Sequence, residues 1–526
     1  MWALGLLLLV GVAAVAAALL AWPQARLRDG GDGLADAGQP WLAGHVSKVV
    51  VHDAGGRAVP VRLSGARVEP VRQLPAGEKV TVEVTVQRPG WAGWLVGRTA
   101  TRSFTVRTPE AQLRGRWLEV RNGGPVSVSF TTPVRIVVLR GPGTNATLRF
   151  PHGQKTLRLG TAGAGLPQAG SVSVRAVART WERLPPPSDV HWFPARAHVQ
   201  ALVTPALGGE IAPDRPITVT FSRPIAQAIG SSLPTVSPAI PGSWQRPDSH
   251  TLSFVPRGVG WPIDGHVRVV LPQRVGVAEG AREHLTQTLE WDVSRGTILR
   301  LQQLLAESGY LPVEWTPAGD PVARTPEAQL AAATDPPAGR FHWPYSNTPK
   351  ELRGIWRTGK WNEIVRGAVM MFQDEHGLDV DAFVGPQVWH ALLADAVGGR
   401  RRTAGYSYVF VHRSVPQLLT LWHDGKVILT SPGNTGVPAA PTKLGTFPVF
   451  EHIPVGTMSG TNPDGTRYHD PGIRWISYFN HGEALHAFPR ASFGTPQSLG
   501  CVELPLAAAA KVWPYTPIGT LVTIEN

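Results

Sequence analysis

The chain has a single cysteine, Cys501, which directly follows Gly500 and lies fifteen residues after His486. A sole thiol in 526 residues cannot close an internal disulfide. It is either a small packed apolar side chain or a nucleophile. A free thiol, with a pKa near ~8.5, is mostly protonated at neutral pH, and an imidazole that takes its proton makes it reactive. His486 closes the apolar run Glu483-Ala484-Leu485, which reads as a strand. Cys501 sits in the turn Ser498-Leu499-Gly500-Cys501-Val502. Two loop ends of one sheet can bring such residues together. Gly500 has no side chain, so a substrate carbonyl can come close to the backbone. The amides around Gly500 and Cys501 could hold a developing oxyanion. The chemistry this would support is acyl transfer through a thioester. The competing reading is a structural cysteine and one ordinary histidine among 17.

The elements around these residues read as a mostly β unit over 405–526. Strands are expected at Tyr408–Val411, Gln417–Trp422, Val427–Thr430 and Gly519–Ile524. Asp424-Gly425 marks a hairpin turn between the second and third. Pro441–Val449 reads as a turn followed by a strand, and the helical signal is confined mainly to 504–513.

This segment resembles the L,D-transpeptidase catalytic domain. The residues that carry the resemblance are Ser498-Leu499-Gly500-Cys501-Val502, His486 on the preceding strand, Pro441-Thr442-Lys443-Leu444-Gly445-Thr446-Phe447, and the stretch from Tyr468 to Phe479. The resemblance implies Cys501 as nucleophile and His486 as general base. It implies the Ala487 carbonyl as orienter, with Ser498, Gly500 and Cys501 shaping the oxyanion site. Tyr478, Leu499 and Glu503 are the expected substrate contacts. Three positions depart from the family pattern: Ala487 where Gly is usual, Leu499 where His is frequent, and Glu503 where Arg or Asn is usual. The implied donor is a peptidoglycan tetrapeptide stem, attacked at its third residue with loss of the terminal D-Ala. An acceptor amine would then complete a 3→3 crosslink. Two alternatives stay open: an L,D-carboxypeptidase using the same site, and a non-catalytic wall-binding scaffold. No cofactor is implied. Zinc-ligand spacing is missing, and His469-Asp470 alone is too little for a metal site.

The rest of the chain reads as a multidomain, mainly β protein. Gly 57 and Pro 49 point to many turns and short strands. Met1–Trp22 is apolar and followed by Arg26 and Arg28, which reads as a transmembrane anchor or signal segment on the cytoplasmic membrane. Residues 23–44 read as a linker. Strand patterns follow over 45–110 and 111–198, read as β-sandwiches. In 199–295 the string TPALGGEIAPDRPITVTFSRPI resembles the opening of bacterial Ig-like domains. Apolar stripes at helical spacing begin at 296. The residues Leu301-Gln302, Gly309-Tyr310, Ala368-Val369, Phe372-Gln373, Gly377-Leu378, Asp381, Gly385 and Trp389 resemble a small three-helix peptidoglycan-binding domain over 296–398, with an insertion at 313–358. Peptidoglycan is thus the implied partner of both regions, and the expected location is the cell wall, outside the cytoplasm. The formal charge of +12 is dispersed, and no nucleic-acid motif accompanies it.

Overall fold

The computed structural model describes residues 10–15, 17, 22, 24–28, 31–38, 44–91, 93–121, 123–141, 144–279 and 282–526. Most of the expected membrane segment 1–22 lies outside the described residues. Among the described residues no helix is long and apolar enough to cross a membrane. The chain divides into two compact units. One comprises Met1–Leu202, Thr220–Ala228 and Arg274–Thr286. The other comprises Val203–Val219, Ile229–Gln273 and Gln287–Asn526.

The first unit is built mainly from antiparallel strand pairs, with Trp117–Val120 running parallel to Ser188–Pro194. Lys79–Gln87 pairs with His45–His52 and Thr99–Arg107, and its valines 80, 82, 84 and 86 all point inward. That is the alternation the sequence shows. The expected linker 23–44 is corrected here. Arg26–Arg28 and Ala35–Gly38 form strands, and Ala25, Leu34 and Ala37 are buried in the same core as those valines. Small apolar residues among the glycines give that segment something to bury. One long strand, Pro125–Gly141, pairs with Thr144–Ala162. Its register shifts between Ser129 and Val134, beside Pro133, which has no N–H to give to a ladder. Region 199–295 is divided between the two units and forms strands at Ile217–Phe221, Thr251–Pro256 and His266–Glu279. Strand content alone does not define an immunoglobulin-like fold.

In the second unit the helical region has α1 (Ile298–Glu307), α2 (Pro326–Thr334), α3 (Lys350–Ile355), α4 (Glu363–Glu375) and α5 (Pro386–Gly398). Caps written in the sequence set their ends. The Thr297 and Asn362 side chains accept the Arg300 and Val365 amides, and Gly399 ends α5 at φ 67°. Leu301, Leu304 and Leu305 are buried, and Ile298 is exposed. The insertion at 313–358 is ordered. It holds the two-stranded ribbon Glu314–Pro317 and Gly339–His342 together with α2 and α3.

The C-terminal region folds as two sheets around a shared core. The first contains β1 (Ser407–His412), β2 (Leu418–His423), β3 (Lys426–Pro432), β4 (Gly445–Pro448) and the final strand, β9 (Leu521–Glu525). Their order is β3-β2-β1-β9-β4, with β1 and β9 parallel. The β2–β3 turn places Asp424 and Gly425 at φ 41° and 77°, the left-handed pair expected of Asp-Gly. The second sheet runs β5 (Glu451–Thr461), β6 (Arg467–Asn480), β7 (Glu483–Ala487), β8 (Val502–Leu504), with β7 and β8 parallel. Helix α6 (Leu506–Val512) buries Ala508, Ala509 and Val512 in the core, together with Leu485, Ala487, Val502 and Leu504.

Candidate active site

Strand alternation divides the residues of β7 and β8 between two faces. Leu485, Ala487, Val502 and Leu504 fill the core. The register pairs Leu485 with Val502 and His486 with Glu503. The residues between them, Ala484, His486, Cys501 and Glu503, therefore share the opposite face. Ala484 and Cys501 pack there with Tyr478, Ile473 and Ile476. Cys501 and His486 are diagonal neighbours on that face. A strand spacing of ~4.8 Å and a rise of ~3.3 Å per residue put their Cα atoms roughly 8 Å apart, a gap that two side chains can span.

The imidazole is held in one tautomer. His486 is 2% exposed, and its Nδ1 lies 3.0 Å from the Ala487 carbonyl oxygen. A carbonyl can only accept, so Nδ1 carries the proton and Nε2 is the free base. Burial is the main reason the His486 pKa is lowered, outweighing the Ala487 hydrogen bond and Glu503, so the ring is neutral at pH 7. Burial likewise pushes the Cys501 thiol up to about 12. Its Sγ donates to the Gly482 carbonyl at 3.6 Å and accepts the Ala484 amide. It makes no hydrogen bond to His486. The resting pair is thus neutral thiol and neutral imidazole.

The turn before Cys501 is pinned from three sides. The Ser498 hydroxyl donates to the Cys501 carbonyl at 2.5 Å and accepts the Gly500 amide at 3.2 Å. The Ser498 and Gln497 amides both donate to the Thr435 carbonyl. Buried Asn434 accepts the Gly494 amide and exchanges backbone bonds with Glu503. Gly500 has φ 116°, a conformation side chains resist. Two expectations change as a result. Ser498 shapes the turn rather than facing an oxyanion, and the Gly500 amide is already spent on it. Among the described residues the Cys501 amide has no such partner and is the donor left for an oxyanion.

Of the expected substrate contacts, Tyr478 lies in register with Ala484, the residue beside Cys501. Leu499 is exposed at 37%. Glu503 is corrected: it is 4% exposed and held by Arg490 through two hydrogen bonds of 2.7 and 2.8 Å. The carboxylate that replaces the usual cation is therefore neutralised by an arginine thirteen residues earlier. Arg490 also lies over the Phe488 ring at 4.7 Å. It lines a cavity of about 610 Å³ beside the end of β7, with Asp470, Ile473 and Phe493. Sequence reasoning gave Arg490, Asp470 and Tyr468 no part in the active site. Burial and then Cys501 raise the pKa of both Tyr468 and Tyr478, so both phenols lie close to the sulfur. Nothing in its spacing marks Tyr468, because the β5–β6 hairpin brings it in. Among the described residues no group of three or more His, Cys, Asp or Glu is placed to hold a metal.

Comparison with known proteins agrees on the class of this domain. Residues 406–524 match the family model for the YkuD L,D-transpeptidase catalytic domain, so the chain carries an L,D-transpeptidase catalytic domain over that stretch. Similar solved structures include an L,D-transpeptidase from Mycobacterium smegmatis, at 14% identity and TM-score 0.21, covering 63% of this chain and 100% of that one. They also include the catalytic domain of an Enterococcus faecium L,D-transpeptidase, at 25% identity and TM-score 0.21, covering 23% of this chain and 99% of that one. These superpositions are too weak to add to the family match. No curated protein matches the chain.

Proposed function

We propose that this protein is a cysteine-dependent L,D-transpeptidase that crosslinks peptidoglycan stem peptides outside the cytoplasm. The observation that carries the mechanism is the His486 Nδ1–Ala487 carbonyl bond, which leaves Nε2 as a lone-pair base on the face that holds Cys501. Because the partly buried thiol is neutral, its proton leaves as the sulfur attacks. The Cys501 sulfur bonds to the carbonyl carbon of the third stem residue, and Nε2 takes the thiol proton. The Cys501 amide holds the oxyanion. Collapse breaks the amide bond to the terminal D-Ala, and His486 returns its proton to that leaving amine. An acceptor amine then attacks the thioester, His486 takes its proton, and the thiol is restored with a 3→3 crosslink made. Tyr478 and Leu499 flank the approach to the sulfur.

The same reading assigns the helical region 296–398 to wall binding, the strand-rich regions over 45–295 to Ig-like spacers, and the apolar segment 1–22 to a membrane tether. Gln302 and Gln373, two of the motif residues, are buried and spent on the backbone at 357–360 and 382–383, so they build the helical fold. The test is incubation of the purified chain with a tetrapeptide stem, with and without an acceptor amine. Crosslinked product that is lost in Cys501→Ala and His486→Gln supports the proposal. Free tripeptide alone, whether or not acceptor is present, indicates a hydrolase, and no reaction indicates a scaffold.

A further inference from the structure

The hairpin formed by Lys79–Gln87 and Thr99–Arg107 ends in a tip of unusual composition for an exposed turn. Gln87 pairs with Thr99, and the Arg88 amide donates to the Arg98 carbonyl at 3.0 Å, which closes the neck. The tip reads Pro-Gly-Trp-Ala-Gly-Trp-Leu-Val-Gly over 89–97 and carries no charged residue and no hydroxyl or amide side chain. Turns normally expose Asn, Asp or Ser. Here Trp91 is 63% and Trp94 81% exposed. Two exposed indoles on one tip mark a contact surface. Arg88 and Arg98 flank the tip, and no carboxylate lies between Val84 and Arg102. Trp22, which closes the apolar run 1–22, packs its ring against Trp91 at 5.8 Å between ring centres. Ala25, three residues on, is already buried in the same core as Val84 and Val86. Three residues span at most about 11 Å, so no slack separates Trp22 from the sheet. Arg26 and Arg28 follow, both exposed. Asp36 lies opposite Arg28 in the ladder but is also set against Arg67 at 3.9 Å, so the surface around the tip stays cationic.

We propose that the tip at 89–97 docks on an anionic phospholipid bilayer and holds the Lys79–Gln87 sheet against it. The inference rests on the reading of 1–22 as a membrane tether and deepens it. A run that spans a bilayer puts its last residue at the water boundary, where tryptophan is enriched. Trp91, in contact with Trp22, then lies at the same level, and Trp94 has the bilayer to cover it. Indoles settle among lipid headgroups, and arginines beside them face the phosphates. A neutral sugar strand would stack on the indoles but has no need of the arginines, and the apolar run arriving at Trp91 leads to a bilayer. The tether would therefore not be a free leash: the tip gives the chain a second point of contact and fixes how this sheet meets the membrane.

The test uses the full chain reconstituted into vesicles of mixed phosphatidylcholine and phosphatidylglycerol. Gly90→Cys in a Cys501→Ala background gives one thiol beside the indoles, where an added side chain meets no atom within 4 Å. A nitroxide on that thiol is relaxed by oxygen when it sits in lipid and by a water-soluble nickel chelate when it sits in water. Oxygen should dominate. Trp91→Ala combined with Trp94→Ala should raise chelate access severalfold, as should Arg88→Glu combined with Arg98→Glu, whereas Arg→Lys at the same two positions should not. Melting temperatures should match the parent, because these side chains lie outside the core. Equal chelate access in the parent and the double-Trp variant overturns the proposal, as does shielding of the label by peptide-free glycan strands without lipid. Alkaline carbonate extraction scores the tether separately. A chain that resists extraction while the label stays in water keeps the tether and ends the inference. A chain that is extracted, although its label sat in lipid beforehand, keeps the inference and ends the tether.

Discussion

Cys501 and His486 are each shifted by burial toward the neutral form, and this decides how the pair can work. A thiol raised to about 12 is not a standing thiolate, so reactivity depends on proton transfer during attack. Alkylation of Cys501 by iodoacetamide should therefore be slower at pH 7 than that of a free thiol, and should keep rising with pH through the alkaline range. A plateau near neutrality would mean a preformed ion pair. His486 has a lowered pKa, so it stays an unprotonated base to lower pH than an ordinary imidazole. The acid limb of kcat/KM should accordingly fall below the usual value of 6.5. The same shift makes the fold lose stability as pH drops, because the unfolded chain binds that proton first. His486→Gln should cost about 10²–10⁴ in kcat, the usual size of a lost general base. Glu503 gives a third residue-scale prediction. Removing its charge by Glu503→Gln leaves Arg490 unpaired beside His486, which pushes the imidazole pKa further down. The acid limb should move to lower pH, which a pH–rate profile will show.

At the scale of elements, the β7–β8 ladder is what makes a site of two residues fifteen apart. Its register was not readable in the sequence, although the strands themselves were. Alternation at Lys79–Gln87 and the Asp-Gly turn at 424–425 were legible because each depends on neighbours in the chain. The strands at 26–28 and 35–38 were not. Their glycine-rich setting hides three small apolar residues that matter only once a distant sheet covers them. The Arg490–Glu503 pair was hidden for the same reason: a carboxylate's partner is set by loop geometry, not by spacing. Another buried carboxylate makes an element-scale prediction. Glu182 accepts the Ala178 and Arg179 amides through one oxygen, yet burial raises its pKa to about 7. A carboxylate with a folded pKa above its unfolded value loses the fold stability as pH rises from 4.5 through 7. Glu182→Gln should therefore raise the melting temperature at pH 8 and leave it nearly unchanged at pH 4. An equal shift at both values would show that charge is not the cause.

At the scale of the whole molecule, the helical and catalytic regions of the second unit share a core. Gly367 of α4 lies against the Gly519 carbonyl, where an added Cβ would come within 2.4 Å of the oxygen. Tyr408, Trp422 and Leu521 of the catalytic sheet belong to the same apolar cluster as Leu304 and Phe372. Gly367→Val should consequently destabilise the protein by about 1–3 kcal/mol through overpacking, and lower activity although it is far from Cys501 in sequence. Calorimetry alongside turnover would show both. The central claim is covalent chemistry at one sulfur. Intact mass spectrometry of the chain, quenched within seconds of mixing with a tetrapeptide stem and no acceptor, tests it most directly. The account predicts a tripeptide adduct, mapped to Cys501, with one D-Ala released per chain, and its loss in Cys501→Ala. D-Ala release at the wild-type rate from Cys501→Ala, or an adduct on any other residue, would contradict it.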